Sequence, residues 1–268
     1  MNKFGKAFKA LGMILRRPSL LNLVLDDEKD HRSFVSEKYG MAAGLPVIPF
    51  SEIVPPEISV EPYAFLDGGC LPTDLALLRA LCRILKAEDY LEIGTWRGES
   101  VANVAAEGVR CVTINLPDET MRQMGMSPEY IAMHRFFSRD LPHVEHIQAD
   151  SRLFDFTGLK RKFDLIFIDG DHHTESIFQD TRSILSLLKD ENSVIVWHDY
   201  AFSPESPRFS VLSGILQACD EKQRCSLYHI SHSLCAIYMP SVVKRSAPLK
   251  INSEPEISFS IDLKSVRR

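Results

Sequence analysis

Residues 90–100 read YLEIGTWRGES. The apolar start is typical of a short strand that ends at Gly94, and a helix is predicted from Glu99 to Glu107. Gly94 and Gly98 allow a tight turn between the two elements. A strand, a glycine turn and a helix in this order are typical of the first unit of a parallel α/β sheet.

The spacing of the two glycines argues against a phosphate-binding turn. A dinucleotide site needs G-x-G-x-x-G, but here the middle glycine is missing and Trp96 and Arg97 would obstruct a phosphate. The turn also lacks the Lys-Ser/Thr pair of a P-loop. Glu92, two residues before the first glycine, can instead receive a cationic amine, directly or through water. This pattern predicts a turn that meets a sulfonium amino acid.

Further strand and helix signals alternate along the chain. After the first strand, strands are predicted at 111–116, 144–149, 163–168, 193–197, 226–230 and 234–239. Helices are predicted at 175–188 and 208–222, and another begins at Pro72-Thr73-Asp74 with Thr73 or Asp74 as its cap. The prediction is a Rossmann-like, doubly wound α/β fold, whose mostly parallel seven-stranded sheet ends in an antiparallel hairpin.

The composition divides the chain into three parts. Residues 1–70, with a proline-rich passage, are predicted to be an N-terminal helical arm that serves as a lid or wraps the domain. Residues 71–240 hold the α/β domain, and residues 241–268 are a polar tail. Five basic residues fall among apolar ones in the first 25. We expect a helix there that packs on its own domain, and a basic amphipathic helix on anionic lipid is the alternative.

The composition also excludes several classes of protein. The chain has 268 residues, 45% of them hydrophobic, and a net charge of −5, so it lacks the basic balance of a general nucleic-acid binder. It holds no run of about 18 apolar residues. Its six cysteines include no C-x-x-C pair, so we expect no zinc knuckle and a reducing cytoplasm. We expect the chain to bind a small molecule and to make no contact with nucleic acid or a membrane. The composition leaves open whether it forms a homo-oligomer.

Polar residues collect where the predicted strands end. The third strand ends in Asp150-Ser151, the fourth in DGDHH (169–173), and the fifth in HDY (198–200). Ligands of a doubly wound sheet bind at the carboxyl ends of its strands. The sequence therefore predicts a functional cleft at this edge of the sheet.

Three of these stretches resemble a known family. Residues 90–100 resemble motif I of the class I S-adenosylmethionine-dependent methyltransferases. The stretches FDLIFIDGDH (163–172) and VIVWHDY (194–200) resemble one branch of that family. This branch includes small-molecule and sugar O-methyltransferases and relatives of the cephalosporin-hydroxylase-like group. The resemblance covers about residues 71–240 and implies O-methylation of a small molecule, such as a sugar or a glycosylated metabolite.

The resemblance implies a cofactor site for S-adenosylmethionine. Its residues are Glu92, Gly94, Thr95, Gly98, Asn115, Asp150, Ser151 and Asp169. Glu92 and the glycines would hold the methionine part, and Asp150 with Ser151 would meet the adenine. Asn115 stands where the family usually has an acidic residue for the ribose.

The resemblance also implies a divalent cation in some members. The matching residues here are Asp169, His198 and Asp199, with His198 in place of the usual acidic residue. An imidazole ligand favours Mn²⁺ or another borderline metal over Mg²⁺. Alternatively, the two aspartates only line the cofactor pocket and no metal binds.

Methyl transfer to a hydroxyl needs a base, or a metal that lowers the hydroxyl pKa. Asp171 matches the position of the base in the sugar methyltransferases, and His172, His173 and His198 are the alternatives because imidazole titrates near neutral pH. The methionine-rich insertion at 117–142 is either a substrate lid or ordinary helix packing. Two other functions stay open: a metal-dependent hydrolase or hydroxylase without the cofactor, and a non-catalytic binding module.

Overall fold

The structure is a computed structural model that describes residues 3–17, 28–241, 246–250, 254 and 257–266. Its strands are β1 (Val47–Ile48), β2 (Asp89–Ile93), β3 (Arg110–Asn115), β4 (Val144–Gln148), β5 (Leu165–Ile168), β6 (Val194–Trp197), β7 (Ala201–Ser203), β8 (Ser206–Pro207), β9 (Leu227–Ile230) and β10 (Ala236–Tyr238). Its α-helices are α1 (Lys3–Arg16), α2 (Glu28–Tyr39), α3 (Pro72–Leu85), α4 (Glu99–Ala105), α5 (Asp118–Gln123), α6 (Pro128–Met133), α7 (Thr174–Ile184), α8 (Phe209–Ala218) and α9 (Glu221–Arg224).

The main sheet has eight strands in the order β1-β9-β10-β6-β5-β2-β3-β4. All neighbouring pairs are parallel except the two made by β10. The predicted Rossmann-like, mostly parallel sheet with a C-terminal antiparallel hairpin is therefore confirmed. The predicted number of seven strands is wrong, because β1 from the N-terminal arm pairs with β9 and covers the edge of the hairpin. A strand of two residues is too short to show a periodic pattern.

The central strands are buried on both faces. Every residue of β5 and β6 is buried, as the apolar run at this position predicted. One apolar layer includes Leu91 and Ile166, and the opposite layer includes Tyr90 and Phe167. Each such side chain contributes about 1.5–3 kcal/mol by its burial. This packing fixes the strand ends, and with them the site.

The N-cap of helix α3 lies two or three residues earlier than predicted. Leu71 is its N-cap and Pro72 takes the first helical position, where a proline loses no hydrogen bond. Neither Thr73 nor Asp74 is the N-cap, and that prediction is wrong. Asp74 stands instead in the first turn, and its carboxylate accepts the Leu71 N–H at 2.7 Å.

The segment predicted as an arm follows the surface of the domain. The carboxylate of Glu28, at the start of α2, accepts the backbone N–H of Phe209 and Ser210 at the N-terminus of α8, where a negative charge is favourable. Farther along, the Leu45 N–H donates to the Tyr200 hydroxyl at 2.9 Å. The described part of the tail also contacts the domain, since the Phe259 ring lies 5.6 Å from that of His232.

Helix α1 differs from the rest of the arm. None of its residues is buried, so the prediction that the first helix packs on its own domain is wrong. Among the described residues, no helix is both long and apolar enough to cross a membrane.

Candidate active site

The carboxyl ends of β2 and β5 meet at Gly94. This residue has φ +87°, and a Cβ there would lie 2.0 Å from the backbone oxygen of Asp169. Only glycine therefore lets the turn after β2 approach the end of β5. The fold thus brings two predicted site residues, Gly94 and Asp169, which are 75 positions apart in the chain by the difference of their numbers, into contact.

Gly98 has a different neighbour. Its φ is +79°, and a Cβ there would lie 2.2 Å from the Ser138 hydroxyl oxygen. The loop after α6 packs on the turn at this point, where the Phe137 N–H donates to the Arg97 carbonyl at 2.8 Å. Glycine at 98 is explained by this packing, and its predicted role at the cofactor stays a prediction.

Glu92 is fully buried in the central strand. One carboxylate oxygen accepts the Tyr90 hydroxyl at 2.6 Å, and the other, Oε1, has no hydrogen-bond partner among the described residues. Burial raises the pKa of Glu92 to about 8, although hydrogen bonds from Tyr90 and Ser100 act in the opposite direction. An unpartnered buried carboxylate fits a cationic ligand group, since a positive charge favours its ionised form. The residue thus suits the amine of S-adenosylmethionine.

We expect Glu92→Gln to weaken S-adenosylhomocysteine binding by about 10- to 100-fold, because a hydrogen bond to a charged group contributes about 1.5–3 kcal/mol. Titration calorimetry measures the affinity, and Glu107→Gln, which alters the ion pairs with Arg79 and Arg83, is the control. Wild-type affinity in Glu92→Gln would reject this contact.

The same variant should be more stable than wild type at alkaline pH. The folded pKa of about 8 exceeds the unfolded value, so the folded state binds more protons and wild-type stability falls as pH rises from about 4.5 to 8. Glutamine does not titrate, so the advantage in Tm over wild type should grow between pH 5 and pH 9. An unchanged difference across this range would contradict the raised pKa.

Thr95 and Asn115 connect the turn to the methionine-rich insertion. The Thr95 hydroxyl lies 2.8 Å from that of Thr113, and its N–H donates to Asn115 Oδ1 at 3.3 Å. The Asn115 amide nitrogen lies 3.1 Å from Nδ1 of His134, whose pKa is lowered mainly by burial. The sequence assigned no role to His134, because nothing in its spacing relates it to Asn115. The insertion packs on the turn, with the Tyr130 and Trp96 rings 4.5 Å apart.

The carboxylate of Asp150 is bound by a side chain two residues later in the sequence. The Arg152 guanidinium donates to both of its oxygens, at 3.0 and 2.7 Å, and these bonds lower the pKa of Asp150 despite its partial burial. Asp150 lines a cavity of about 800 Å³ together with Pro117 and Phe154. The residues that line this cavity do not include those of the Gly94 turn. The predicted contact with adenine would have to compete with Arg152.

The sequence missed a second buried carboxylate near Ser151. Asp180 of α7 is only 2% exposed, and its Oδ1 has no partner among the described residues. Burial raises the pKa of Asp180 to about 6, while a hydrogen bond with Ser151 acts to lower it. Asp180 falls in a polar stretch of helix that carries no motif, so only the fold reveals its position.

His198 lies among three carboxylates. Its Nε2 is 3.2 Å from Asp74 Oδ2, while its Nδ1 is 3.0 Å from Asp169 Oδ1 and 3.4 Å from Asp199 Oδ2. Burial alone would lower the pKa of His198, but the neighbouring negative charges raise it well above its usual value. Burial would raise the pKa of Asp199, yet His198 lowers it to about 2. The carboxylates thus favour a positive charge beside Nδ1, either as a proton on the ring or as a cation bound there, and this makes His198 a weaker candidate for the base than His172.

Asp74 is the residue of this cluster that the sequence did not reveal. It has no exposed surface, and it also accepts the Leu234 N–H at 2.8 Å. Its place in the first turn of a helix indicated capping only. The contact with His198 joins residues 124 positions apart.

His172 and Asp171 point to different partners. His172 Nε2 lies 3.1 Å from Asp199 Oδ2, and its side chain is 43% exposed. Asp171 binds the His173 ring and accepts the Ser176 hydroxyl at 2.7 Å. Burial would raise the pKa of Asp171, but these hydrogen bonds lower it overall. Of the four predicted bases, His172 and His173 each combine access to solvent with an orienting carboxylate, but only His172 binds Asp199, the carboxylate that also faces His198.

Two groups of side chains near this point could hold a cation, Asp169 with His172 and Asp199, and Asp169 with His198 and Cys70, so the predicted ligands are divided between them. Nδ1 of His198 is buried without a hydrogen-bond partner among the described residues, and it faces Asp169 and Asp199 at the distances given above. Adjacent ligands of an octahedral ion at about 2.1 Å are about 3 Å apart. His198 Nε2 meets the Asp74 carboxylate, the usual arrangement behind a metal-bound imidazole. His172 is placed to join Asp169 and Asp199.

A family model described as a methyltransferase domain matches residues 91–200. This segment is a methyltransferase domain. It extends from β2 through β6 and includes the predicted site residues from Glu92 to Asp199. The resemblance of the motifs in this segment to methyltransferases is thus confirmed. Asp74 and α1 lie outside the matched segment.

Solved structures of methyltransferases resemble the chain weakly. A putative caffeoyl-CoA O-methyltransferase from Staphylococcus aureus is 16% identical, with 84% of this chain and 99% of that chain covered and a TM-score of 0.46. A putative O-methyltransferase from Klebsiella pneumoniae is 17% identical, with 66% of this chain and 84% of that chain covered and a TM-score of 0.44. An O-methyltransferase from Bacillus cereus, in complex with SAH, is 18% identical, with 76% of this chain and 94% of that chain covered and a TM-score of 0.41. No curated protein matches the chain.

Proposed function

We propose that this methyltransferase methylates a hydroxyl group of a small molecule and that a divalent cation assists it. One observation carries the proposal: Asp169, His172, His198 and Asp199 converge beside the Gly94 turn. The cluster combines ligands for a cation with a base whose side chain reaches solvent. Alkylation of a hydroxyl needs such a base or cation.

Each residue of the cluster has a separate task in this mechanism. Glu92 holds the cofactor amine and so fixes the methyl group relative to the acceptor. His172 takes the hydroxyl proton as the oxygen–carbon bond forms and the carbon–sulfur bond breaks. Asp199 orients the ring and stabilises the imidazolium. A cation held by Asp169, His198 and Asp199, with Mn²⁺ or Mg²⁺ as the candidates, would lower the pKa of the acceptor hydroxyl.

The acceptor class we propose is a sugar or glycosylated metabolite. The support is the resemblance of the strand-end motifs and the cation site, since two neighbouring hydroxyl oxygens can bind one cation together. We also propose the cytoplasm as the location, and here the support is that all six cysteines are unpaired. The match to a methyltransferase domain does not favour the two alternatives, a metal-dependent hydrolase or hydroxylase and a non-catalytic binding module.

The test follows a labelled methyl group from S-adenosylmethionine to a panel of acceptors. Glycosides and catechols supply hydroxyls, and amines and thiols supply the competing nucleophiles, each with EDTA, Mg²⁺ or Mn²⁺. We expect label on a hydroxyl oxygen, loss of turnover in EDTA and recovery with Mn²⁺. Transfer to nitrogen or sulfur alone, or to no acceptor, would reject O-methylation. Full turnover in EDTA would reject the cation.

A further inference from the structure

Helix α1 exposes a continuous apolar face. Phe4, Phe8, Leu11 and Leu15 are between 54% and 78% exposed. At 100° per residue these four positions fall within about 60° of one another around the helix axis. They therefore form one stripe, the α1 face, that no described residue buries.

The opposite side of α1 is basic. Lys6, Lys9 and Arg16 point away from the α1 face, and no acidic residue occurs between Lys3 and Arg17. The five basic residues of this segment give it a charge of +5, which leaves −10 for the rest of a chain whose net charge is −5. The segment is thus opposite in charge to the remainder of the protein.

An isolated helix of this length is not stable in water by itself, so a partner should cover the α1 face. The helix cannot span a bilayer, because its 14 residues are about 21 Å long against an apolar thickness of about 30 Å. A second copy of α1 would bring one charge of +5 against another. A negatively charged membrane surface would bury the α1 face and attract the basic residues on the opposite side of the helix.

We propose that α1 binds an anionic lipid surface, with the α1 face in the acyl boundary and the basic residues at the headgroups. A basic amphipathic helix lies in the membrane interface in this way. Each lysine or arginine near such a surface contributes about 1 kcal/mol. The domain is then held at a membrane by a segment that takes no part in the cofactor site, so this inference does not depend on the proposed function.

The test is flotation of the full chain with vesicles of phosphatidylcholine containing 30% phosphatidylserine, and with vesicles of phosphatidylcholine alone. We expect binding to the anionic vesicles, at least tenfold weaker binding to the neutral ones, and loss of binding in high salt. Phe8→Glu with Leu11→Glu should reduce binding at least tenfold, and so should Lys6→Glu with Lys9→Glu. Ile84→Glu, at an exposed apolar position of α3, is the matched control and should bind as wild type.

Two further measurements keep the outcome clear. S-adenosylhomocysteine affinity should be equal in all variants, which shows that the domain is folded. Light scattering measures the oligomeric state without lipid. The proposal would be overturned if the chain bound no vesicles, or if it bound both vesicle types equally. It would also be overturned if the chain bound no lipid and formed a dimer that the double substitution Phe8→Glu with Leu11→Glu dissociates.

Discussion

Replacing Asp74 by alanine is expected to lower the free energy of unfolding by about 3–5 kcal/mol, the usual cost of removing one partner from a buried ion pair. Asp74 has no exposed surface and receives the Leu71 and Leu234 N–H groups, while its Oδ2 lies 3.2 Å from His198 Nε2. Alanine would leave two backbone donors without an acceptor and remove one of the carboxylates around a charged imidazole. One side chain thus joins the start of α3, the β9–β10 connection and the end of β6.

Urea denaturation measures this loss. Asp74→Asn should lose less than Asp74→Ala, because the amide oxygen still accepts one of the backbone N–H groups. The control is Asp140→Ala, at an exposed position, which should stay within about 0.5 kcal/mol of wild type. A loss below about 1 kcal/mol in Asp74→Ala would show that the cluster does not hold these elements together.

His172→Asn is expected to lower kcat by about 10²- to 10⁴-fold, the range that a positioned base contributes. Its Nε2 lies 3.1 Å from Asp199, and the exposed part of the ring leaves the other nitrogen for the acceptor hydroxyl. S-adenosylhomocysteine affinity should stay within about twofold, because the proposed cofactor contact is made by Glu92. The measurement is single-turnover methyl transfer with the best acceptor of the panel, combined with calorimetry.

The adjacent histidine is the matched control for this variant. The His173 ring binds Asp171, whereas the His172 ring binds Asp199. His173→Asn should therefore change kcat by no more than a few fold. Equal losses in the two variants would indicate a general effect on the start of α7. Wild-type activity in His172→Asn would transfer the role of the base to Asp171, and Asp171→Asn would then be the variant to measure.

The order of strands and helices follows from local patterns. The apolar run before Asp169 and the glycine turn after Ile93 each depend on neighbours in the chain, so the parallel sheet could be predicted from them. A parallel sheet brings its strand ends to one edge, and the sequence therefore predicts that Glu92, Asp169 and Asp199 lie near one another.

Other features depend on contacts between distant segments. The edge strand β1 has two residues and forms only because β9 offers a free edge. Gly98 is fixed by Ser138 from the insertion, and His198 acquires its raised pKa from Asp74 and the other carboxylates around it. Such contacts leave no periodicity or spacing in the sequence.

Helix α1 has one property that follows from its local sequence and another that depends on distant segments. Its amphipathic pattern and its charge are properties of the sequence alone, because 3.6 residues per turn fix which side chains share a face. Whether that face is covered is decided by the rest of the molecule, and the domain offers it no apolar partner among the described residues. The sequence thus determined which chemical groups this protein has and in what order. The tertiary structure decided which of them meet, since burial and charge pairing act through space rather than along the chain.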